Sequence, residues 1–152
     1  MDSNGSVLEH LSPGECMRLL RSVPLGRIVY TRQAMPAVEV VNFALAGDGD
    51  IVIRAEGGGK LATAVSGAVV AFEADNADVV AHTGWSVTVV GYARVAVDLE
   101  EISRLERLAL TPWAPGNHDH FLLISPAIVS GRRVRHRWLA GSGDARRPPN
   151  EG

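Results

Sequence analysis

The sequence predicts an α+β fold in which roughly six or seven antiparallel strands form a β-barrel and short helices lie between some of them. Short apolar runs rich in β-branched residues recur along the chain and are separated by turns that contain glycine, proline or aspartate. Helical spacing of apolar residues is confined to a few short segments. Gly91 interrupts a long predicted strand, where a sheet can bend sharply as it closes into a barrel.

Composition is typical of one globular domain. The chain has 152 residues, of which 46% are hydrophobic, enough to bury a core. Its formal net charge of −2 does not supply the field of a general nucleic-acid or membrane binder, so neither partner is expected. The uncharged, largely apolar stretch at 61–72 is shorter than the roughly 20 apolar residues that span a bilayer. With the single Cys16 and no basic, apolar signal peptide, a cytoplasmic protein is expected.

The N-terminal half is predicted to contain one helix and three strands. Residues 1–7 are expected to be a flexible terminus that precedes a single domain over 8–140. Residues 12–15, Ser-Pro-Gly-Glu, combine an N-cap, a proline at the first helical position and a capping-box glutamate. Apolar runs then predict an antiparallel meander of three strands, at 27–31, 37–45 and 51–53.

The C-terminal half is predicted to alternate strands with two helices. A short helix from Lys60 to about Ser66 precedes a strand, a polar loop at 75–84 and the longest strand, Trp85 to Val97. Asp98 and Glu101 indicate another helix start. The remaining predicted segments are strands at 68–73, 121–124 and 128–137, and a disordered tail, rich in glycine, proline and charge, at 141–152.

The stretch 51–67 has the features of a phosphate-binding segment. A predicted strand ends at Arg54, a glycine triplet follows at 57–59, and a helix begins at Lys60. Glycines allow backbone N–H groups to surround a small anion, and the two cations and the helix N-terminus add positive charge. A glycine-rich loop with solvated cations is the alternative, which Glu56 favours because it would repel phosphate. The spacing matches neither the Walker pattern nor the dinucleotide fingerprint.

The order of several short motifs resembles the pyridoxamine 5′-phosphate oxidase-like family, the FMN-binding split barrels. These motifs lie at 26–30, 36–38, 41–43, 51–60, 84–87 and 129–134, and together they cover about 8–137. The resemblance implies an antiparallel split β-barrel that binds FMN at the interface of a homodimer. It also implies an FMN-dependent oxidoreductase that acts on a small molecule. The long basic signature of the true pyridoxamine phosphate oxidases is not visible, so their activity is not expected.

The resemblance also implies which residues bind the cofactor. Arg54 and Lys60 would hold the FMN phosphate, with backbone contacts from Ala55 and Leu61 nearby. Ala55 stands where many members carry a hydroxyl residue, so one hydrogen bond to the phosphate is expected to be absent. The other implied contacts are Val40, Val41 and Asn42 at the edge of the isoalloxazine ring, and Trp85 and Ser86 from the second subunit. The sequence does not identify a catalytic residue.

Structural explanations compete with several of these roles. Asn42 could be a polar residue at the barrel rim, and Trp85 could serve packing alone. The run 118–120, His-Asp-His, contains metal-binding residue types, but alternate residues tend to point apart, so a loop over the pocket is favoured over a metal site. The arginines between 132 and 137 are interpreted as a solvated strand face.

Other functions stay open beside the FMN-dependent oxidoreductase. The cofactor could be the deazaflavin coenzyme, although its anionic tail would need cations beyond Arg54 and Lys60. The protein could also be a non-catalytic flavin- or haem-binding module, and an oligonucleotide-binding small barrel ranks last. If the protein is an enzyme, the residues that select its substrate are expected in the loops at 75–84 and 111–120.

Overall fold

The computed structural model describes residues 5–55 and 59–136, except for the side chain of Lys60. These residues form three helices and eight strands. The helices are α1 (Pro13–Leu20), α2 (Lys60–Val65) and α3 (Leu99–Glu106). The strands are β1 (Ser6–His10), β2 (Leu25–Arg32), β3 (Met35–Asn42), β4 (Ala44–Leu45), β5 (Ile51–Ala55), β6 (Val69–Asp78), β7 (Thr83–Val95) and β8 (His120–His136). The predicted tail at 141–152 and the residues 56–58 of the predicted phosphate-binding segment lie outside the described ranges.

All eight strands belong to one antiparallel sheet. Seven follow the order β3-β2-β6-β7-β8-β5-β4, and β1 pairs beside them with β8. The sheet curls into a half-barrel, which confirms the predicted α+β split barrel. The 17-residue β8 pairs with β7 on one side and with both β5 and β1 on the other. This long strand therefore connects β7 to both β5 and β1.

The core has two parts because β8 is buried on both faces. Leu122 and Ile124 point into the main cluster inside the barrel, together with Ile28 and Phe72. Phe121 and Leu123, on the other face of β8, pack in a second cluster against α3. A strand covered on both faces has a continuous apolar run instead of an alternating pattern, which accounts for the sequence Phe-Leu-Leu-Ile in this strand.

Local signals in the sequence gave the helix starts and the main bend correctly. The Ser12 side chain accepts a hydrogen bond from the Glu15 N–H at 3.3 Å, and Asp98 caps α3 by accepting from the Glu100 N–H at 2.9 Å. Pairing between β7 and β8 shifts register between Val90 and Gly91. A β-bulge therefore lies at the glycine where the sequence predicted a bend.

Predictions that depended on long-range pairing were only partly right. The two antiparallel pairings of the expected meander form, β2 with β3 and β4 with β5, but the predicted strand at 37–45 is divided into β3 and β4, which lie at opposite ends of the strand order. The predicted flexible terminus at 1–7 is too long, because Ser6 and Val7 already pair with the end of β8. A strand that pairs with a partner at the other end of the chain has no local sequence signal.

Two strand boundaries also differ from the prediction. The expected loop at 75–84 is mostly a hairpin, since β6 continues to Asp78 and β7 begins at Thr83. The exposed ends of these two strands carry polar side chains, and a polar segment of sequence cannot be distinguished from a loop by its composition. The two expected closing strands, at 121–124 and 128–137, are one strand with a bulge near Pro126. No helix within the described ranges is long and apolar enough to cross a membrane.

Candidate cofactor-binding site

A cavity of about 640 Å³ lies between β3, the end of β5, the start of α2 and the loop before β8. It brings together six of the nine residues that the sequence implicated in cofactor binding. These six are Val40, Val41, Asn42, Arg54, Ala55 and Leu61. Residues far apart in the chain therefore line one concave surface of the size of a small-molecule site.

Arg54 places a positive charge in the wall of this cavity. It lies near the end of β5, opposite Phe121 of β8, and its guanidinium carbon lies 5.2 Å from the centre of that ring. The position over an aromatic face is a cation–π contact that holds the side chain. The Nε atom of Arg54 is buried and has no hydrogen-bond partner within the described part of the chain. A buried donor on a cationic side chain is satisfied best by an anion.

The start of α2 lies beside Arg54. Gly59 is its N-cap, has extended backbone and supplies no side-chain cap, and both Gly59 and Leu61 line the cavity. The Lys60 side chain is outside the described part of the structure, as are Glu56, Gly57 and Gly58. The predicted contact between Lys60 and a phosphate therefore stays a prediction.

Asn42 connects the β3 wall to the loop that covers the cavity. Its Oδ1 accepts a hydrogen bond from the Trp113 backbone N–H at 2.8 Å, and its Nδ2 donates to the Pro24 carbonyl at 3.4 Å. Both ends of the amide are thus engaged within the protein. The structure supplies the rim role that the sequence left open for Asn42, while its contact with a flavin stays a prediction.

Several residues of the cavity were not identified as site residues from the sequence. Leu25 and Glu39 contribute from the first hairpin, and the loop before β8 contributes Pro112, Trp113, Ala114 and His118. The sequence did favour this loop as a cover and as a site of substrate selection, but it did not single out Trp113. The signal available in the sequence was a tryptophan between two prolines, Pro112 and Pro115.

Histidines in this loop make contacts within the chain. His118 Nδ1 lies 3.1 Å from the Gly116 carbonyl oxygen, and His120 Nδ1 lies 2.8 Å from an Asp119 carboxylate oxygen. Across residues 5–55 and 59–136, no group of three or more His, Cys, Asp or Glu side chains is arranged to hold a metal ion.

Trp85 and Ser86 lie in a different cavity of about 760 Å³, beside the β6–β7 hairpin. Asp75, His82 and Arg132 also line this second cavity. The fold of one chain does not bring Trp85 and Ser86 to Arg54, so their contribution from a second subunit stays a prediction. The neighbouring basic run is partly neutralised, because Arg135 Nε lies 2.7 Å from a Glu9 carboxylate oxygen.

A charged cluster lies on the outer face of β2 and β6. Arg27 Nη1 contacts Glu73 Oε2 at 3.3 Å and Asp75 Oδ2 at 3.2 Å. Burial raises the pKa of Glu73 to about 7, and the hydrogen bond and negative charge of Asp75 act in the same direction, against the opposing effect of Arg27. Arg27 pairs with Val40 across the β2–β3 ladder. This arginine is therefore near the cavity wall but already engaged by two carboxyl groups.

Comparison with known proteins identifies the family. Residues 12–133 match the family model of pyridoxamine 5′-phosphate oxidase. The uncharacterized protein Rv0080 of Mycobacterium tuberculosis is 43% identical over 129 residues, which cover 82% of this chain and 84% of that protein. The FAD-binding protein of Mycobacterium smegmatis has a similar structure, with a TM-score of 0.74, 37% identity and coverage of 84% of this chain and 98% of its own. A candidate pyridoxamine 5′-phosphate oxidase of Corynebacterium glutamicum shows a TM-score of 0.74, 32% identity and the same coverage. The chain therefore belongs to the pyridoxamine 5′-phosphate oxidase-like family.

Proposed function

We propose that this protein binds a flavin in the cavity beside Arg54 and acts as an FMN-dependent oxidoreductase on a small molecule. The observation that carries the proposal is the Arg54 guanidinium, which lines the cavity with a buried Nε that no described residue satisfies. A flavin phosphate has the charge and the acceptor oxygens that such a group binds best. Family membership and the FAD-binding relative from M. smegmatis support the same assignment.

The residues of the cavity suit the two ends of a flavin mononucleotide. Arg54 binds the phosphate. Gly59 and Lys60, at the start of α2, follow Arg54 by a few residues in the chain. Val40 offers an apolar side chain to the isoalloxazine ring, and Val41, which packs against the core, lines the cavity beside it. A bound flavin supplies the electron transfer, while the protein positions it and excludes water.

A homodimer is part of the proposal. Val69, Tyr92 and Ile128 are exposed on the outer face of the sheet. They lie close together, because Val69 pairs with Tyr92 and Ile128 pairs with Val90, two residues before Tyr92. An exposed apolar patch of this kind is typical of an interface. In the proposed dimer, Trp85 and Ser86 of one subunit complete the cavity of the other.

FMN is the proposed cofactor, and two other flavins are the competing candidates. The FAD-binding relative makes FAD the first competitor. The deazaflavin coenzyme is less well matched: Arg54 and His118 are the basic side chains among the described lining residues, and Arg27 is held by two carboxyl groups. The lone, buried Cys16 is consistent with a reducing cytoplasm, which we propose as the compartment.

The experiment is an absorbance spectrum of the purified protein, followed by chromatography of the cofactor that denaturation releases. We expect the spectrum of an oxidised flavin and the retention time of FMN. If the spectrum is that of haem, or if FAD or the deazaflavin coenzyme is released, that molecule becomes the assigned cofactor in place of FMN. If the protein carries no cofactor and binds none of the three flavins in fluorescence titrations, the proposed function is wrong.

Substitution of Arg54 tests the phosphate assignment. A charge-assisted hydrogen bond contributes roughly 1.5 to 3 kcal/mol, so Arg54→Ala should weaken FMN binding about 10- to 150-fold. The matched control is Arg107→Ala, an exposed arginine at the end of α3, which should leave FMN affinity unchanged. Riboflavin, which lacks the phosphate, should bind both variants equally. Equal FMN affinity of the Arg54→Ala and parent proteins would contradict the assignment.

A further inference from the structure

Trp113 is an aromatic side chain held open at the cavity. Its side chain is 66% exposed, although it lines the cavity together with Pro112 and Ala114. An indole ring offers a large apolar surface and one N–H donor, so it contributes most when a second flat group covers it. Within one subunit, the exposed ring is therefore an apolar contact surface at the mouth of the site.

The backbone around Trp113 is fixed, so its ring is presented in one region. The Asn42 Oδ1 atom accepts the Trp113 N–H at 2.8 Å, and Asn42 is itself bonded to the Pro24 carbonyl. Pro112 and Pro115 flank the tryptophan and restrict the backbone torsions of the loop. Asn42 thus connects the loop to the end of β3, whose residues also line the cavity.

The other residues that line the cavity limit the kind of molecule that can bind there. Leu25 and Val40 contribute apolar side chains to the lining of the cavity. Glu39, which accepts a hydrogen bond from the Tyr30 hydroxyl at 2.7 Å, is the carboxylate among the described lining residues and disfavours an anion on the β3 side.

We infer that Trp113 is the recognition residue for an uncharged, planar aromatic substrate, and that Asn42 positions it. The inference rests on the proposed flavin-binding function, because it places the substrate in the same cavity as the flavin. Stacking between an aromatic substrate and the indole face supplies affinity, and a saturated molecule of equal size loses that contribution. Asn42 acts through Trp113 and does not touch the substrate.

The test uses two neutral probes of similar size on the flavin-loaded protein. The probes are 2-naphthol, which is planar and aromatic, and decahydro-2-naphthol, which is saturated. Calorimetry measures binding of each probe to the parent, Trp113→Ala, Trp113→Phe and the exposed control Met35→Ala. Flavin affinity is measured separately for each variant by fluorescence titration.

We expect the parent to bind 2-naphthol at least about tenfold more tightly than the saturated probe, a difference of about 1.4 kcal/mol. Trp113→Ala should remove this preference, Trp113→Phe should keep most of it, and Met35→Ala should keep all of it. FMN affinity should change by less than about threefold in all three variants. An unchanged preference in Trp113→Ala overturns the inference, and so does a tenfold loss of FMN affinity in that variant, because the ring would then contact the flavin.

The role of Asn42 has its own readout. Asn42→Ala should weaken 2-naphthol binding about three- to tenfold in the parent but have no effect in the Trp113→Ala background. Additive losses in the double variant would show that Asn42 does not act through Trp113. If the protein binds no flavin at all, the proposed function is wrong, whereas a flavin-loaded protein without the aromatic preference contradicts only the role of Trp113. The two outcomes are therefore distinguishable.

Discussion

Replacement of Gly91 by alanine should destabilise the barrel strongly. A Cβ atom on Gly91 would lie 2.0 Å from the Ser125 carbonyl oxygen and 2.8 Å from the Ser125 carbonyl carbon. Both are backbone atoms of β8, so no rotation of a side chain can relieve the overlap. The two strands would have to move apart by about 1 Å at the bulge, since Cβ contacts under 3.0 Å are essentially absent from real proteins.

The expected cost follows from this displacement. Forcing one extra methyl group into a packed core costs roughly 1 to 3 kcal/mol. We expect Gly91→Ala to lie at the upper end, about 3 kcal/mol, because main chain must move and the β7–β8 ladder is disturbed. A loss of this size is a large fraction of the roughly 5 to 15 kcal/mol that stabilises a typical domain.

Urea unfolding of the parent and variant, followed by far-ultraviolet circular dichroism, measures the free energy of unfolding. Gly14→Ala is the matched control: it makes the same chemical change within α1, where an added Cβ meets nothing within 4 Å. That variant should be neutral or more stable by up to about 1 kcal/mol. A Gly91→Ala protein within about 0.5 kcal/mol of the parent, with the same m-value, would refute the described packing at the bulge.

Three further predictions concern charge, assembly and cofactor choice. The pKa of Glu73 is about 7 in the folded protein and near 4.5 without the fold. The folded state therefore binds the proton more tightly, and the free energy of unfolding should fall as pH rises from about 4.5 to 7. Glu73→Gln should flatten this pH dependence when urea unfolding is measured across that range. An unchanged slope would remove Glu73 as its source. Light scattering at micromolar concentration should give the mass of a dimer, and Tyr92→Asp should give a monomer; a monomeric parent would contradict the shared site. FMN should bind at least about tenfold more tightly than the deazaflavin coenzyme, a gap of about 1.4 kcal/mol, and the reverse order in side-by-side titrations would exchange the proposed cofactor.

Local patterns in the sequence were sufficient for much of the fold. Ser12 and Asp98 mark helix starts and each caps its helix, although Glu101 binds Arg94 instead of closing a capping box with Asp98. The alternation of the predicted strand 85–97 correctly buries Val87 and Val89, but Val97, expected on the same face, lies beyond β7 and is 84% exposed. Such signals depend on neighbours within a few residues, so they can be read without the tertiary structure.

Lining residues of the cavity from β3, β5 and α2 were implicated from the sequence, whereas Trp113 was not singled out. Arg54 and Ala55 follow an apolar run, and the resemblance to a family pointed to the same stretch. The bond between Asn42 and Trp113 joins residues 71 positions apart, and neither residue indicates the other in the sequence. The sequence therefore indicated which loop could cover the site, while the hydrogen bond that attaches this loop to β3 is found only from the structure.

The position of β8 at the end of the described chain has a consequence for biosynthesis. Ser6 pairs with His136, and β5 and β7 also need β8 as a neighbour. A ribosome releases the first strand long before its partner has been made, so the barrel cannot close during most of translation. Until β8 emerges, the apolar surfaces of β5 and β7 lack their cover, and we expect stalled chains that end before residue 120 to be digested rapidly by protease. We therefore expect chaperones to bind the nascent chain mainly in the period before β8 has been synthesised.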